Sequence, residues 1–333
     1  MKLGGLILAS KRLIGIDLGG TTTKFAFIDE DGNILTKWKI PTDITNSGDQ
    51  IVPNMIKSIA DQMRREDYNT EDFIGIGMGT PGAVDREKGT VIGAYNLGWD
   101  KLQQVGPTLT KGLGLPIAID NDANSAALGE YWKGAGEKAA DVVFVTLGTG
   151  VGGGVVTNGK LVHGINNGAG EIGHICVQKN GFLCTCGKRG CLEQYASATG
   201  VVKVAKSLAK RFTGKSRIKE LIDGQEELTS KMVFFLADNG DILANQIVNE
   251  VCSYLGLALS HVGNTLNPEN IIIGGGVSNA GNTLLQPTTR YFQENAFPSV
   301  RDSTKLKLAQ LGNDAGVIGA ASLALKFKND NAM

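Results

Sequence analysis

The sequence predicts an α/β protein built from two related domains. Three observations carry this reading. Strand-length apolar runs alternate with segments of helical period along the 333 residues, the pattern of α/β architecture. A unit of strand, Gly/Thr turn, strand and tight hairpin occurs twice, about 130 residues apart. The 46 glycines gather in short clusters at strand ends, where backbone can approach a ligand closely.

The elements follow in order. Leu13 to Asp17 reads as a short apolar strand, Leu18-Gly19-Gly20-Thr21-Thr22 as a turn, and Lys24 to Ile28 as a second strand. Asp29-Glu30-Asp31-Gly32-Asn33 carries a hairpin signal and Ile34 to Ile40 returns as a third strand. Residues 48 to 64 read as a helix, with Ile51, Met55, Ile56, Ile59 and Met63 along one face. Phe73 to Met78 and Pro116 to Ile119 read as further strands. Val142 to Thr146 opens the second copy, Leu147-Gly148-Thr149-Gly150 is its turn, and Gly152 to Thr157 its second strand. Asn158-Gly159 then makes a two-residue hairpin turn. After residue 200 the chain is mainly helical, except for the buried strand Ile271-Ile272-Ile273, which ends in Gly274-Gly275-Gly276.

Composition narrows the function. Formal net charge is zero and the pI about 6.8, so there is no electrostatic footprint for nucleic acid or an anionic membrane, and neither is expected as a partner. No apolar run reads as the ~18 residues of a membrane span. The first ten residues have a faint signal-peptide flavour, but Gly4 and Gly5 interrupt them and Lys11-Arg12 leads straight into a strand. Residues 1–12 are read as an N-terminal extension, and the chain as cytoplasmic.

His174 to Cys191 is the densest stretch of chemistry. Cys176, Cys184, Cys186 and Cys191, four of the five cysteines, fall with His174 within 18 positions. A tetrahedral zinc site needs four N or S ligands that a short loop can converge. Gly187 and Gly190 let the backbone turn to bring Cys191 towards Cys184 and Cys186. His174 is the expected fourth ligand, with Cys176 as the all-cysteine alternative. The competing readings are a buried thiol cluster or a disulfide. An odd cysteine count without a secretory signal argues against the disulfide. Cys252 sits in an apolar helical stretch and is expected in the core.

The glycine turns have their own competing readings. Gly148-x-Gly150-x-x-Gly153 spells a dinucleotide fingerprint, yet it leads into a strand and not the helix that fingerprint requires. Gly214-Lys215-Ser216 ends like a Walker loop, but Ala209 stands where the first glycine belongs. What remains is a matched pair of Gly/Thr hairpins with free N–H groups, able to hold phosphate oxygens, with Gly274 to Gly276 as a third element. For either hairpin alone, a plain turn explains the residues as well. Asp122 stands just past the strand ending at Ile119, at a helix start, where site residues of open α/β sheets gather. It could be a general base or, like Asp120, a helix N-cap. Lys24 is read as solvated.

Ile14-Gly15-Ile16-Asp17-Leu18-Gly19-Gly20-Thr21 resembles the first phosphate loop of the sugar kinase, Hsp70 and actin superfamily, and Leu147-Gly148-Thr149-Gly150 its second. Gly170-Glu171-Ile172-Gly173-His174 with Cys184-x-Cys186-Gly187-x-x-Gly190-Cys191-x-Glu193 resembles the ROK family, nearest its bacterial ATP-dependent glucokinases. Asn121-Asp122-Ala123-Asn124 and Gly79-Thr80-Pro81-Gly82 match that family's sugar-binding segments. The resemblance runs from Leu13 to the C-terminal helix.

It implies a two-domain actin-like ATPase, or ribonuclease H-like, fold with an interdomain cleft and a zinc knuckle. The small domain is expected at 13–121 plus 315–328 and the large one at 122–314. The implied reaction is phosphorylation of glucose at its 6-hydroxyl by ATP with Mg²⁺, and the implied Zn²⁺ is structural. Asp122 is the implied base. Gly82, Asn121, Asp122, Glu171, His174 and Glu193 are implied sugar contacts. Asp17, Gly19, Gly20, Thr21, Thr22, Gly148, Thr149, Gly150, Gly275 and Gly276 are implied around the nucleotide, Asp17 towards Mg²⁺ through water. His174, Cys184, Cys186 and Cys191 are the implied zinc ligands, with the second ring nitrogen of His174 left for a sugar hydroxyl. A homodimer or higher homo-oligomer is implied too. The rivals are a kinase for mannose, fructose or N-acetylmannosamine, and a sugar-responsive repressor lacking its DNA-binding domain. Only twelve residues precede the first strand, too few for such a domain.

Overall fold

A computed structural model describes residues 11–328; residues 1–10 of the expected extension lie outside them. The chain divides into one unit reaching to Lys133 and resuming at Asn313, and a second unit from Gly134 to Gly312.

The first unit opens with β1 (Arg12–Leu18), β2 (Thr22–Asp29) and β3 (Ile34–Pro41). Then come α1 (Ile51–Arg65), β4 (Phe73–Thr80), the small hairpin β5 (Ala83–Asp85) and β6 (Thr90–Ile92), α2 (Val105–Leu113), β7 (Ile117–Asn121) and α3 (Asp122–Lys133). The second unit holds β8 (Val142–Leu147), β9 (Val151–Thr157) and β10 (Lys160–Leu161). Helices α4 (Glu193–Ala196), α5 (Ala198–Ala209), α6 (Arg217–Asp223), α7 (Ser230–Asp238) and α8 (Ile242–Leu266) follow. It ends with β11 (Asn270–Gly274), α9 (Asn282–Asn295), α10 (Pro298–Ser303) and β12 (Lys305–Leu308). The chain returns to the first unit as α11 (Ala315–Leu323).

Each unit is built on one five-stranded sheet, ordered β3-β2-β1-β4-β7 and β10-β9-β8-β11-β12. In both, the first three strands form an antiparallel meander and the last two join in parallel. The expected duplication is therefore a duplication of topology. The short hairpin β5–β6 and the edge strand β12 were not expected from sequence.

Burial follows strand position. Every residue of β4 is buried, as a central strand covered on both faces requires. Edge strand β3 alternates half-buried and exposed residues and carries Lys37 and Lys39, charges that discourage pairing with another chain. One face of this sheet meets α1 through Ile51, Met55, Ile59 and Met63, at the spacing of an amphipathic helix. Ile56, expected on that face, is only half-buried and meets Gly112 of α2.

On β1, β4 and α3 lies α11, whose burial runs almost all round. The contact is backbone to backbone. A Cβ on Gly77 of β4 would sit 1.7 Å from the Ala320 carbonyl oxygen, and one on Gly129 of α3 2.1 Å from that of Ala315. This packing puts α3 in the first unit, so the expected boundary at 121/122 moves to 133/134, and that at 314/315 to 312/313. Gly77→Ala is expected to destabilise at or beyond the top of the ~1–3 kcal/mol range of core overpacking. An unchanged melting temperature would mean that α11 does not approach β4 this closely.

The second core is mostly helical. By length and composition α8 could cross a membrane. Its Ile247, Val251, Leu255 and Leu259 are instead fully buried in this core. Cys252 is buried there as expected.

Candidate active site

The β1–β2 turn is held from behind. Gly19 N–H donates to the Thr22 carbonyl at 3.1 Å, and Thr42 Oγ1 donates to the Gly19 carbonyl at 2.7 Å. Thr42 N–H donates to the Thr21 carbonyl at 3.0 Å. Asp17 is the penultimate residue of β1, beside this turn, and Lys24 on β2 donates to its Oδ2 at 3.0 Å and to the Asn313 carbonyl at 3.2 Å. Lys24 is thus an ion-pair partner of Asp17 and not merely solvated. The two residues face each other across the β1–β2 hairpin.

Asp122 lies at the carboxyl end of β7, at the first position of α3. The helix is capped by its neighbour: Asn121 Oδ1 accepts from Ala123 N–H at 2.9 Å. Asp120 is buried and accepts from Asn121 N–H and Asn124 Nδ2, both at 2.8 Å. Asp120 is therefore not the cap, and Asp122 Oδ1 shares the Ala123 N–H with Asn121, at 2.8 Å. Asp122 is exposed to solvent, yet protein crowds its carboxyl. Desolvation, the largest effect, raises its pKa above the ordinary carboxylate value, and the Asp17 carboxylate pushes the same way.

Gly82 follows β4 with φ +94°, and a Cβ there would meet the Ile92 carbonyl oxygen at 2.9 Å. Its identity is thus explained by the turn itself.

In the second unit the β8–β9 turn closes through Gly148 N–H donating to the Gly150 carbonyl at 2.9 Å. The segment after the cysteines braces this turn. Ala198 N–H donates to the Gly148 carbonyl at 2.8 Å and Thr199 Oγ1 to the Thr149 carbonyl at 3.0 Å. Glu193 Oε2 accepts from Val151 N–H at 3.1 Å. Thr149 itself is exposed. Gly275 has φ +84°, and a Cβ there would lie 2.6 Å from the Leu147 backbone, so the third glycine cluster abuts this same turn. Gly276 faces open space.

The cysteine loop converges as expected. The ligand atoms of His174, Cys184, Cys186 and Cys191 all lie within 4.8 Å of one another. His174 Nδ1 is 3.7 Å from Cys184 Sγ, and Cys186 Sγ is 3.6 Å from Cys191 Sγ. A tetrahedron with Zn–S near 2.3 Å has edges of about 3.8 Å, so the donor set fits that ion. Cys176 stays outside the group; its Sγ faces the Arg189 carbonyl at 3.6 Å. Burial pushes the Cys184 thiol up, but hydrogen bonds with Cys186, Cys191 and His174 outweigh it and bring the pKa down to about 6. Burial, then hydrogen bonds with Cys186 and Cys184, push Cys191 up to about 12. One thiolate shared among crowded thiols is what a cation would relieve.

Nε2 of His174 lies 3.8 Å from Oε2 of Glu171, leaving Nδ1 towards the cysteines. Glu171 is exposed and Glu193 half-buried. One participant was not expected: buried Gln194, whose Nε2 lies 3.6 Å from Cys184 Sγ and 3.5 Å from Glu193 Oε1. Only its place beside Glu193 could have drawn attention to it.

The ROK family model matches residues 13–327. A glucokinase from Halalkalibacterium halodurans is 44% identical over 329 residues, 97% of each chain. One from Thermotoga maritima is 37% identical over 313 residues, 94% of this chain and 96% of that one. The crystal structure of a ROK family glucokinase from Streptomyces griseus in complex with glucose and AMPPNP superposes with a TM-score of 0.75 at 35% identity, over 95% of this chain and 99% of that one. The chain belongs to the ROK family.

Proposed function

We propose that the chain is an ATP-dependent glucokinase, transferring the γ-phosphoryl group of ATP to the 6-hydroxyl of glucose. The observation that carries the mechanism is Asp122, a reachable carboxylate of raised pKa at a strand's carboxyl end, under the influence of Asp17. Asp122 accepts the proton of the sugar hydroxyl as its oxygen attacks the γ-phosphorus and ADP departs. Asp17 would hold Mg²⁺ through water, an ion that neutralises phosphate charge. The turns at Gly19 to Thr22 and at Gly148 to Gly150 offer N–H groups to the phosphates, with Gly275 and Gly276 beside the second turn. Asn121, Glu171, His174 and Glu193 bind and orient the hexose hydroxyls.

His174, Cys184, Cys186 and Cys191 would hold zinc, which supplies rigidity to the segments carrying Glu171 and Glu193 and takes no part in transfer. Five free cysteines accord with a reducing, cytoplasmic setting. A homodimer or higher homo-oligomer belongs to the same proposal. The similarity of the Halalkalibacterium halodurans glucokinase favours glucose over other hexoses.

A panel of glucose, mannose, fructose and N-acetylmannosamine with saturating ATP tests the substrate. The highest kcat/KM is expected for glucose. A clear preference for another sugar would overturn the substrate while leaving the kinase standing.

A further inference from the structure

We infer that Gln194 is a positioning residue that ties the cysteine knuckle to the sugar-reading carboxylate Glu193. The inference rests on the proposed role of Glu193 in binding hexose. Gln194 is only 4% exposed, and all three polar directions of its amide are engaged. Nε2 lies 3.6 Å from Cys184 Sγ and 3.5 Å from Glu193 Oε1. Oε1 accepts from Lys203 Nζ. An ammonium only donates, so Lys203 fixes which end of the amide is oxygen and turns both N–H bonds towards the other two partners.

Those partners both accept: the sulfur of a cysteine in the converging ligand group and a carboxylate oxygen. A carboxamide suits this place because it donates twice without bringing charge. A glutamate here would set an anion between two acceptors. Glu193 has one oxygen held by Gln194 and the other by the N–H of Val151, the first residue of β9. Gln194 thus holds the carboxylate oxygen that the Val151 N–H does not. Ser197 Oγ donates to the Glu193 carbonyl at 2.6 Å and holds the backbone, so side-chain orientation is what Gln194 adds. Outer partners of this kind are typically worth about 10–100-fold.

The test measures hexose affinity by calorimetry, hexose and ATP KM, and zinc per chain on the full-length protein. Gln194→Leu keeps volume and removes both donors. Its hexose Kd and KM should rise roughly tenfold, with ATP KM within about twofold and zinc retained. Gln194→Glu should weaken hexose binding further. Lys203 is exposed, so Lys203→Met should fold whatever the buried variants do, and should raise hexose KM by a smaller factor; an unchanged value there would overturn the anchoring. If Gln194→Leu binds hexose normally while Glu193→Gln does not, the inference falls and the role of Glu193 stands. If neither variant weakens binding, the role of Glu193 falls and takes the inference with it. Loss of zinc from Gln194→Leu would make Gln194 a part of the knuckle's fold and not a positioning residue.

Discussion

Asp122→Asn is expected to lose nearly all turnover while hexose binding largely survives. The amide keeps the size of the side chain and one acceptor but cannot take a proton. General-base help is worth about 10²–10⁴ in rate, so kcat should fall by at least the lower of these factors. The fold should tolerate the change, because Asn121 also accepts from Ala123 N–H and an asparagine at 122 keeps an acceptor oxygen there. The wild-type pH profile carries the same signature. Desolvation and Asp17 raise the Asp122 pKa, and a base works only when deprotonated. Activity should therefore fall with decreasing pH through a limb lying above the usual carboxylate range near 3.8, and Asp17→Asn should move that limb down. A variant keeping more than about a tenth of wild-type kcat would remove Asp122 from the role of base.

Cys184→Ala is expected to lose zinc, thermal stability and hexose affinity together. Structural zinc in small peptides binds with about 10–16 kcal/mol of apparent free energy, so its loss should cost local folding. Cys184 is also the thiol that His174 and Gln194 approach, and its removal frees the segments bearing Glu171 and Glu193. Cys176→Ala should keep the metal, since Cys176 lies outside the converging group. Elemental analysis of the two variants separates the ligand sets: full zinc in Cys184→Ala, or none in Cys176→Ala, would show the wrong four. Zinc lost with hexose KM unchanged would leave the ligands standing but end the link between knuckle and sugar.

Much of this was legible because it is local. Gly19-Gly20-Thr21-Thr22 and Gly148-Thr149-Gly150 announce their turns by residue type alone. Cys184, Cys186 and Cys191 lie close enough in sequence that two glycines suffice to converge them. The duplication showed for the same reason, since each copy opens with consecutive hairpins. What was missed depends on distant packing. α3 joins the first unit because Gly129 meets Ala315, almost 190 positions later. β12, four residues long, is fixed by pairing with β11. The brace of residues 198–199 on the β8–β9 turn is nonlocal too, whereas the Lys24–Asp17 pair and the bonding of Gln194 are short-range contacts whose side-chain geometry residue type does not announce. Asp120, Asn121 and Asp122 are three polar residues in a row, and only geometry separates the cap from the candidate base.

The most direct test of the central claim is the identity of the product. The purified protein, incubated with ATP, Mg²⁺ and glucose, should yield ADP and glucose 6-phosphate in equal amounts, with the phosphoester on O6 as read by phosphorus and carbon NMR. Phosphate on another oxygen, or glucose bound with no sugar phosphate formed, would contradict the account.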